Sequence, residues 1–142
     1  MAEAPSSFSK SLYFGHIPED LIFPYPRPTS EEQENLKLIL ESVHKFAAEK
    51  IDPAKIDDEG KIDRALLDEL GQMGLCGLVV DEKYGGVGLS TTSYARVFED
   101  LAAIDSSIAV TLGAHQSIGY KGILLFGTEA QKQQYLPRLA SG

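Results

Sequence analysis

The sequence predicts an all-α fold, a helical bundle of five to six helices. Two observations carry this. Apolar residues recur at helical spacing in several separate stretches, and capping residues open those stretches while Gly or Pro closes them. The connections are short and no period-two run marks a convincing sheet, so helix-on-helix packing is the expected architecture.

Residues 1–29 lie outside this pattern. Phe23-Pro24-Tyr25-Pro26-Arg27-Pro28 blocks a helix, because each Pro fixes φ and biases the residue before it towards extended geometry. The stretch reads as an N-terminal surface arm packed by Phe8, Leu12, Tyr13, Phe14, Ile22 and Phe23, with a polyproline-type ligand as the rarer alternative. Residues 30–142 form the helical domain. Ser30 with Gln33 is a candidate capping box for a first helix, whose stripe is Leu36, Ile39, Leu40, Val43, Phe46 and Ala47. Pro53 stops it, and Asp57-Asp58-Glu59-Gly60 reads as a solvated acidic turn without calcium-loop spacing. Asp63 opens a second helix through Leu66, Leu67, Leu70 and Met73, and Gly74 suits its left-handed end. Leu75-Cys76-Gly77-Leu78-Val79-Val80 is apolar and expected to be buried; its length leaves strand and helix open. Ser90 caps a third helix with Val97, Phe98 and Leu101 inward. Ser106 caps a fourth that runs through Thr111 to Gly119. Ile123 to Phe126 adds an apolar turn, Thr128 with Gln131 forms a capping box, and the last helix carries Ala130, Gln134 and Tyr135 before Pro137, which is expected to open a new turn at its first position.

Composition narrows the function classes. The 142 residues suffice for one hydrophobic core, with 43% apolar and 24% charged residues, an ordinary globular balance. A formal net charge of −8 argues against a broad nucleic-acid-binding surface. A lone cysteine, Cys76, precludes an internal disulfide. No apolar run reaches the roughly 20 residues needed to span a bilayer. Met1 to Ser7 is acidic and resembles neither a signal peptide nor a transit peptide, so the expected location is the bacterial cytoplasm, or a mitochondrion if a leader has been removed.

The chemical motifs are weak when taken singly. In the loop with Gly85, Gly86 and Gly88, a dinucleotide frame starting at Gly86 would put Thr91 where its last Gly belongs, so the loop reads as a tight turn needing positive φ. His115-Gln116-Ser117-Ile118-Gly119 imitates part of a nucleophile elbow but has no strand before it. His16, His44 and His115 lack metal-ligand spacing, and no metal site is expected. One feature is unusual. Gly113 and Ala114 sit in the middle of the fourth helix, where a Gly costs about 0.5–1 kcal/mol relative to Ala. Small residues there admit a close neighbour, either another helix or an apolar ligand chain.

Leu70-Gly71-x-x-Gly74-Leu75-x-Gly77-Leu78 and Glu82-x-Tyr84-Gly85-Gly86-x-Gly88-Leu89-Ser90 resemble the N-terminal domain of acyl-CoA dehydrogenases. Thr111 to Gly119, Lys121 to Thr128, Gln131-Lys132, Tyr135-Leu136-Pro137 and Leu139 to Gly142 are similar to the very-long-chain-like branch of that family, as are Ser7-Phe8 and Phe23-Pro24-Tyr25-Pro26 in the arm. The resemblance spans residues 7–142. It departs at Asp81, where the family usually has Pro, which touches the stiffness of the loop.

The resemblance implies one domain of an FAD-dependent enzyme that oxidises long-chain acyl-CoA to trans-2-enoyl-CoA in fatty-acid β-oxidation. It also implies electron-transferring flavoprotein as electron acceptor and a homo-oligomer. The family's catalytic glutamate and most of its FAD contacts belong to a middle β-domain and a C-terminal helical bundle, so no catalytic residue is expected in this chain, which would be inactive alone. What the resemblance assigns to this domain is one wall of the acyl-chain pocket, formed at Gly113, Ala114, His115 and Ile118. Medium-chain relatives carry a larger acidic residue at the position of Ala114, so a small residue implies a deeper tunnel. The alternative is a non-catalytic interaction or assembly module on the same scaffold.

Overall fold

A computed structural model describes residues 7–142, and the reading of Met1 to Ser7 as no leader lies almost wholly outside them. The described residues form helices and turns without a strand. In the arm, α1 spans Phe8–Tyr13. The bundle follows with α2 (Ser30–Lys50), α3 (Pro53–Glu59), α4 (Arg64–Gln72), α5 (Thr91–Ile104), α6 (Ser106–Ala114), α7 (Lys121–Phe126) and α8 (Glu129–Ser141). A π-helical segment, His115–Gly119, joins α6 to α7.

The arm does not pack as expected: of its six expected packing residues, Phe8, Leu12, Tyr13, Phe14 and Phe23 are exposed and Ile22 is half-buried. The helix starts obey capping chemistry, but two caps sit one residue earlier than the sequence suggested. Thr29, not Ser30, caps α2 by accepting the Glu32 N–H at 3.2 Å, and Gln33 reaches back to donate to the Pro28 carbonyl at 2.9 Å. Asp105, not Ser106, caps α6 by accepting the Ile108 N–H at 2.8 Å. A carboxylate also suits the positive end of the helix dipole. Ser90 caps α5, and Thr128 with Gln131 forms the expected capping box on α8. Asp63 occupies the cap position of α4 without a side-chain bond.

Two stretches expected to be irregular are helical. Pro53 stands in the first turn of α3, where its missing N–H costs nothing, and Asp52 caps the helix, so Asp57, Asp58 and Glu59 end a helix whose left-handed Gly60 has φ 61°. Pro137 lies inside α8 and does not open a new turn. Packing overrides its penalty, because Leu136 and Ala140 on either side are both sealed in the core.

The core has two contiguous parts. Val43, Leu70, Leu75, Leu78, Val97, Leu101, Ile108 and Leu112 join α2, α4, α5 and α6. Val80, Tyr84, Tyr120, Leu136 and Ala140 join the glycine-rich loop to α8. Between them, residues 75–80 run as consecutive turns, with Gly77 N–H donating to Gly74 and Val80 N–H to Gly77, both at 3.1 Å. This settles the strand-or-helix ambiguity in favour of neither. The carboxyl end of α8 crosses this segment closely. A Cβ on Gly77 would lie 2.8 Å from the Ala140 Cβ, and one on Gly71 would lie 2.5 Å from the Ser141 carbonyl oxygen.

Candidate functional site

The stretch expected to face a ligand, Ser106 through Gly119, folds as α6 and the π turn, and α7 continues from it. Along it Ile108, Leu112, Gln116 and Tyr120 form one inward row, all buried. Gln116 is only 2% exposed, so its amide needs partners in the protein. It has them. Nε2 donates to the Leu75 carbonyl at 2.9 Å, and Oε1 accepts the Leu78 N–H at 3.1 Å. The Tyr120 hydroxyl lies 3.0 Å from the Cys76 carbonyl and 3.1 Å from Gln116 Oε1, its single proton shared between two acceptors. Burial pushes the Tyr120 phenol well above its ordinary range, which keeps it a donor. Burial likewise raises the Cys76 thiol. The π register shows in the backbone: Tyr120 N–H donates to the His115 carbonyl, five residues back, at 3.1 Å.

The four residues expected to line a pocket do not share one surface. Gly113 looks towards α5, where a Cβ would meet the Phe98 ring at 3.2 Å; its small size serves helix packing there. His115 is half-buried and turns to α8. Its Nε2 lies 2.6 Å from the Leu139 carbonyl, which can only accept, so the ring carries its proton on Nε2. The Tyr120 ring meets it edge to face with centroids 5.2 Å apart. Ala114 is half-buried, and Ile118 is 90% exposed. Ala114 and Ile118 instead align with Val110, 70% exposed, at four-residue spacing on the outer side of the segment. Leu125 and Phe126 of α7 are also exposed. Val110, Gln116 and Tyr120 were missed by sequence reasoning. The available signal was a glutamine at a core position of a row that begins Ile108, Leu112.

The cavity that touches His115 holds about 150 Å³ and also borders Cys76 and Leu112. Ligand pockets run to about 300–1,000 Å³. Val110, Ala114 and Ile118 do not line that cavity.

The glycine-rich loop is closed in on itself. Gly85 and Gly88 take the expected positive φ of 82° and 72°. Gly86 donates to Asp81 at 3.3 Å, Val87 to Gly77 at 3.0 Å and Gly88 to Val80 at 2.8 Å, and a Cβ on Gly86 would collide with the Val80 carbonyl. Its amides are spent on the protein, so the loop offers no phosphate cradle and does not fit the pyrophosphate of a dinucleotide. Tyr84 fastens it to α8 by donating to Glu129 Oε1 at 2.7 Å, a bond that holds the Glu129 carboxyl below its usual range, helped by nearby Lys83. Among the described residues no group of three or more His, Cys, Asp or Glu is placed to hold a metal.

Residues 30–142 match the family described as acyl-CoA dehydrogenase, N-terminal domain. The chain belongs to the acyl-CoA dehydrogenase family. Over 137 residues, 96% of this chain, it is 48% identical to the mitochondrial very long-chain specific acyl-CoA dehydrogenase of Macaca fascicularis. It spans 21% of that relative's length. Two solved acyl-CoA dehydrogenases share the fold. Butyryl-CoA dehydrogenase from Megasphaera elsdenii has a TM-score of 0.66 and 37% identity, covering 82% of this chain and 30% of its own. Acyl-CoA dehydrogenase complexed with FAD from Bacillus anthracis has a TM-score of 0.67 and 37% identity, covering 86% of this chain and 20% of its own. The all-helical N-terminal domain of an acyl-CoA dehydrogenase is thus the architecture of this chain. Its relatives include mitochondrial and bacterial enzymes.

Proposed function

We propose that this chain is the N-terminal helical domain, preceded by an arm over residues 1–29, of an FAD-dependent enzyme that oxidises long-chain acyl-CoA to trans-2-enoyl-CoA. The domain supplies one wall of the acyl-tail pocket. Proton abstraction, hydride transfer and most of the FAD contacts fall to residues outside this chain. That division accords with a glycine loop whose amides are already used. Electrons pass on to electron-transferring flavoprotein, and the complete enzyme is a homo-oligomer, in the bacterial cytoplasm or the mitochondrion.

The observation that carries the reading is the outer row Val110–Ala114–Ile118, apolar throughout, exposed at Val110 and Ile118 and half-buried at Ala114, on a segment whose opposite row is sealed. An alkyl tail along it would cover Ile118, and burying a side chain of that size contributes about 1.5–3 kcal/mol. The relationship to a very long-chain specific enzyme supports the long-chain preference. Of the four pocket positions, Ala114 and Ile118 would touch the tail, and Gly113 and His115 would set the helix that bears them.

The test is Ala114→Glu in the protein expressed from its complete reading frame, assayed by acyl-CoA-dependent dye reduction across chain lengths. Displacing three methylenes of tail, each about 0.8 kcal/mol, should lower kcat/KM for palmitoyl-CoA relative to octanoyl-CoA about fiftyfold. An unchanged chain-length profile removes this wall from the pocket.

A further inference from the structure

We propose that Gln116 is a positioning residue for this wall: by clasping the turn at residues 75–78 it holds the π turn that keeps Ala114 and Ile118 in line for the acyl tail. The inference rests on the proposed pocket reading and deepens it.

The geometry of an α-helix explains why a device is needed. With 3.6 residues per turn, a step of four residues overshoots a full turn by about 40°. Three such steps, from Ile108 to Tyr120, would fan the row through about 120° on a straight helix, at the wide end of what one core-facing stripe covers. All four are buried. The five-residue hydrogen bond from Tyr120 to His115 takes up one residue and removes the drift. In the outer row the step from Val110 to Ala114 lies in α6, and only the step from Ala114 to Ile118 enters the π turn.

A π turn is seldom favoured by itself, so something must hold it. The groups that do so are named by their bonds. Gln116 spans the Leu75 carbonyl at 2.9 Å and the Leu78 N–H at 3.1 Å, two backbone groups of the turn segment. Tyr120, one helical step further on, closes the clasp through its hydroxyl to Cys76 and Gln116. No polar side-chain atom buried among the described residues is left unsatisfied, so the clasp is complete. An apolar residue at 116 would release both turn groups and the π register together. A return to α-helical register turns Ile118 by one residue, about 100°, away from the tail.

The experiment uses the protein expressed from its complete reading frame, with Gln116→Leu and the milder Tyr120→Phe, which removes a single hydroxyl. Steady-state constants are measured with palmitoyl-CoA and octanoyl-CoA. Gln116→Leu should cut the palmitoyl/octanoyl ratio of kcat/KM on the order of tenfold, the worth of two methylenes of contact, through KM for palmitoyl-CoA and with kcat on octanoyl-CoA kept. Tyr120→Phe should move the ratio the same way by less. A merely structural role would scale both substrates alike, and that result in either variant overturns the proposal. If Gln116→Leu does not fold, Tyr120→Phe decides. Ala114→Glu run alongside separates the two readings. Failure of Ala114→Glu to shift preference sinks the pocket wall, whereas a shift there with uniform scaling in both clasp variants sinks only the role of Gln116.

Discussion

Gly77→Ala should destabilise the protein, against the usual effect of replacing a glycine. Its φ is not positive, so alanine meets no backbone strain there, and lowering unfolded-chain entropy would ordinarily stabilise by about 0.4–1 kcal/mol. The new Cβ, however, would lie 2.8 Å from the Ala140 Cβ and 3.0 Å from both the Ala140 Cα and its carbonyl oxygen. These atoms belong to Ala140, a buried residue of α8, and two of them are backbone, so α8 must shift. Overpacking of this kind costs about 1–3 kcal/mol. For a chain of 142 residues each kcal/mol moves Tm by about 3–4 °C, so a drop of about 2–8 °C is expected once the entropic gain is subtracted. The shift should propagate to the Leu139 carbonyl, one residue from Ala140, and so to His115. The assay is thermal unfolding of Gly77→Ala, Ala140→Gly and the double variant. Removing the Ala140 Cβ relieves the shortest contact, so the two changes should be less damaging together than their sum, by about 0.5–2 kcal/mol. A Gly77→Ala protein as stable as the parent, or strict additivity, would refute the close seating of α8 on the turn.

Two further outcomes are expected. Hydrogen bonds from Ser90 and Ser93 hold the Glu32 carboxyl below its ordinary value of 4.5, with the Ser90 N–H only 2.8 Å away. A lowered folded-state pKa contributes stability that is present above the unfolded value and lost as pH falls through the folded one. Thermal unfolding followed from pH 6 down to pH 3 should therefore fall less steeply in Glu32→Gln than in the parent, and identical slopes would contradict the bond to α5. For His115, ¹⁵N NMR of the neutral ring should report the Nε2–H tautomer, and His115→Phe should lose about 1 kcal/mol for the orphaned Leu139 carbonyl. A neutral ring protonated on Nδ1 and bare at Nε2 would contradict the geometry.

What the residue order determines by itself is local. The bonds at Ser90, Thr128 and Gln131 close within three residues, and the positive φ of Gly74, Gly85 and Gly88 follows from turns only a few residues long, so neighbours in sequence suffice to find them. The helical stripes and the family motifs were legible for the same reason, and with them the bundle. The site was legible only as a region. Gln116 finds its partners 41 and 38 residues away, His115 finds Leu139 across 24, and Gly113 owes its smallness to Phe98 on another helix. Pro137 stays helical because of what Leu136 and Ala140 bury. No stretch of sequence contains those distances. The fold alone brings the groups within bonding range, and their burial leaves them no water to bond to instead. Which small or polar residue packs inward and which faces outward was therefore decided by tertiary structure.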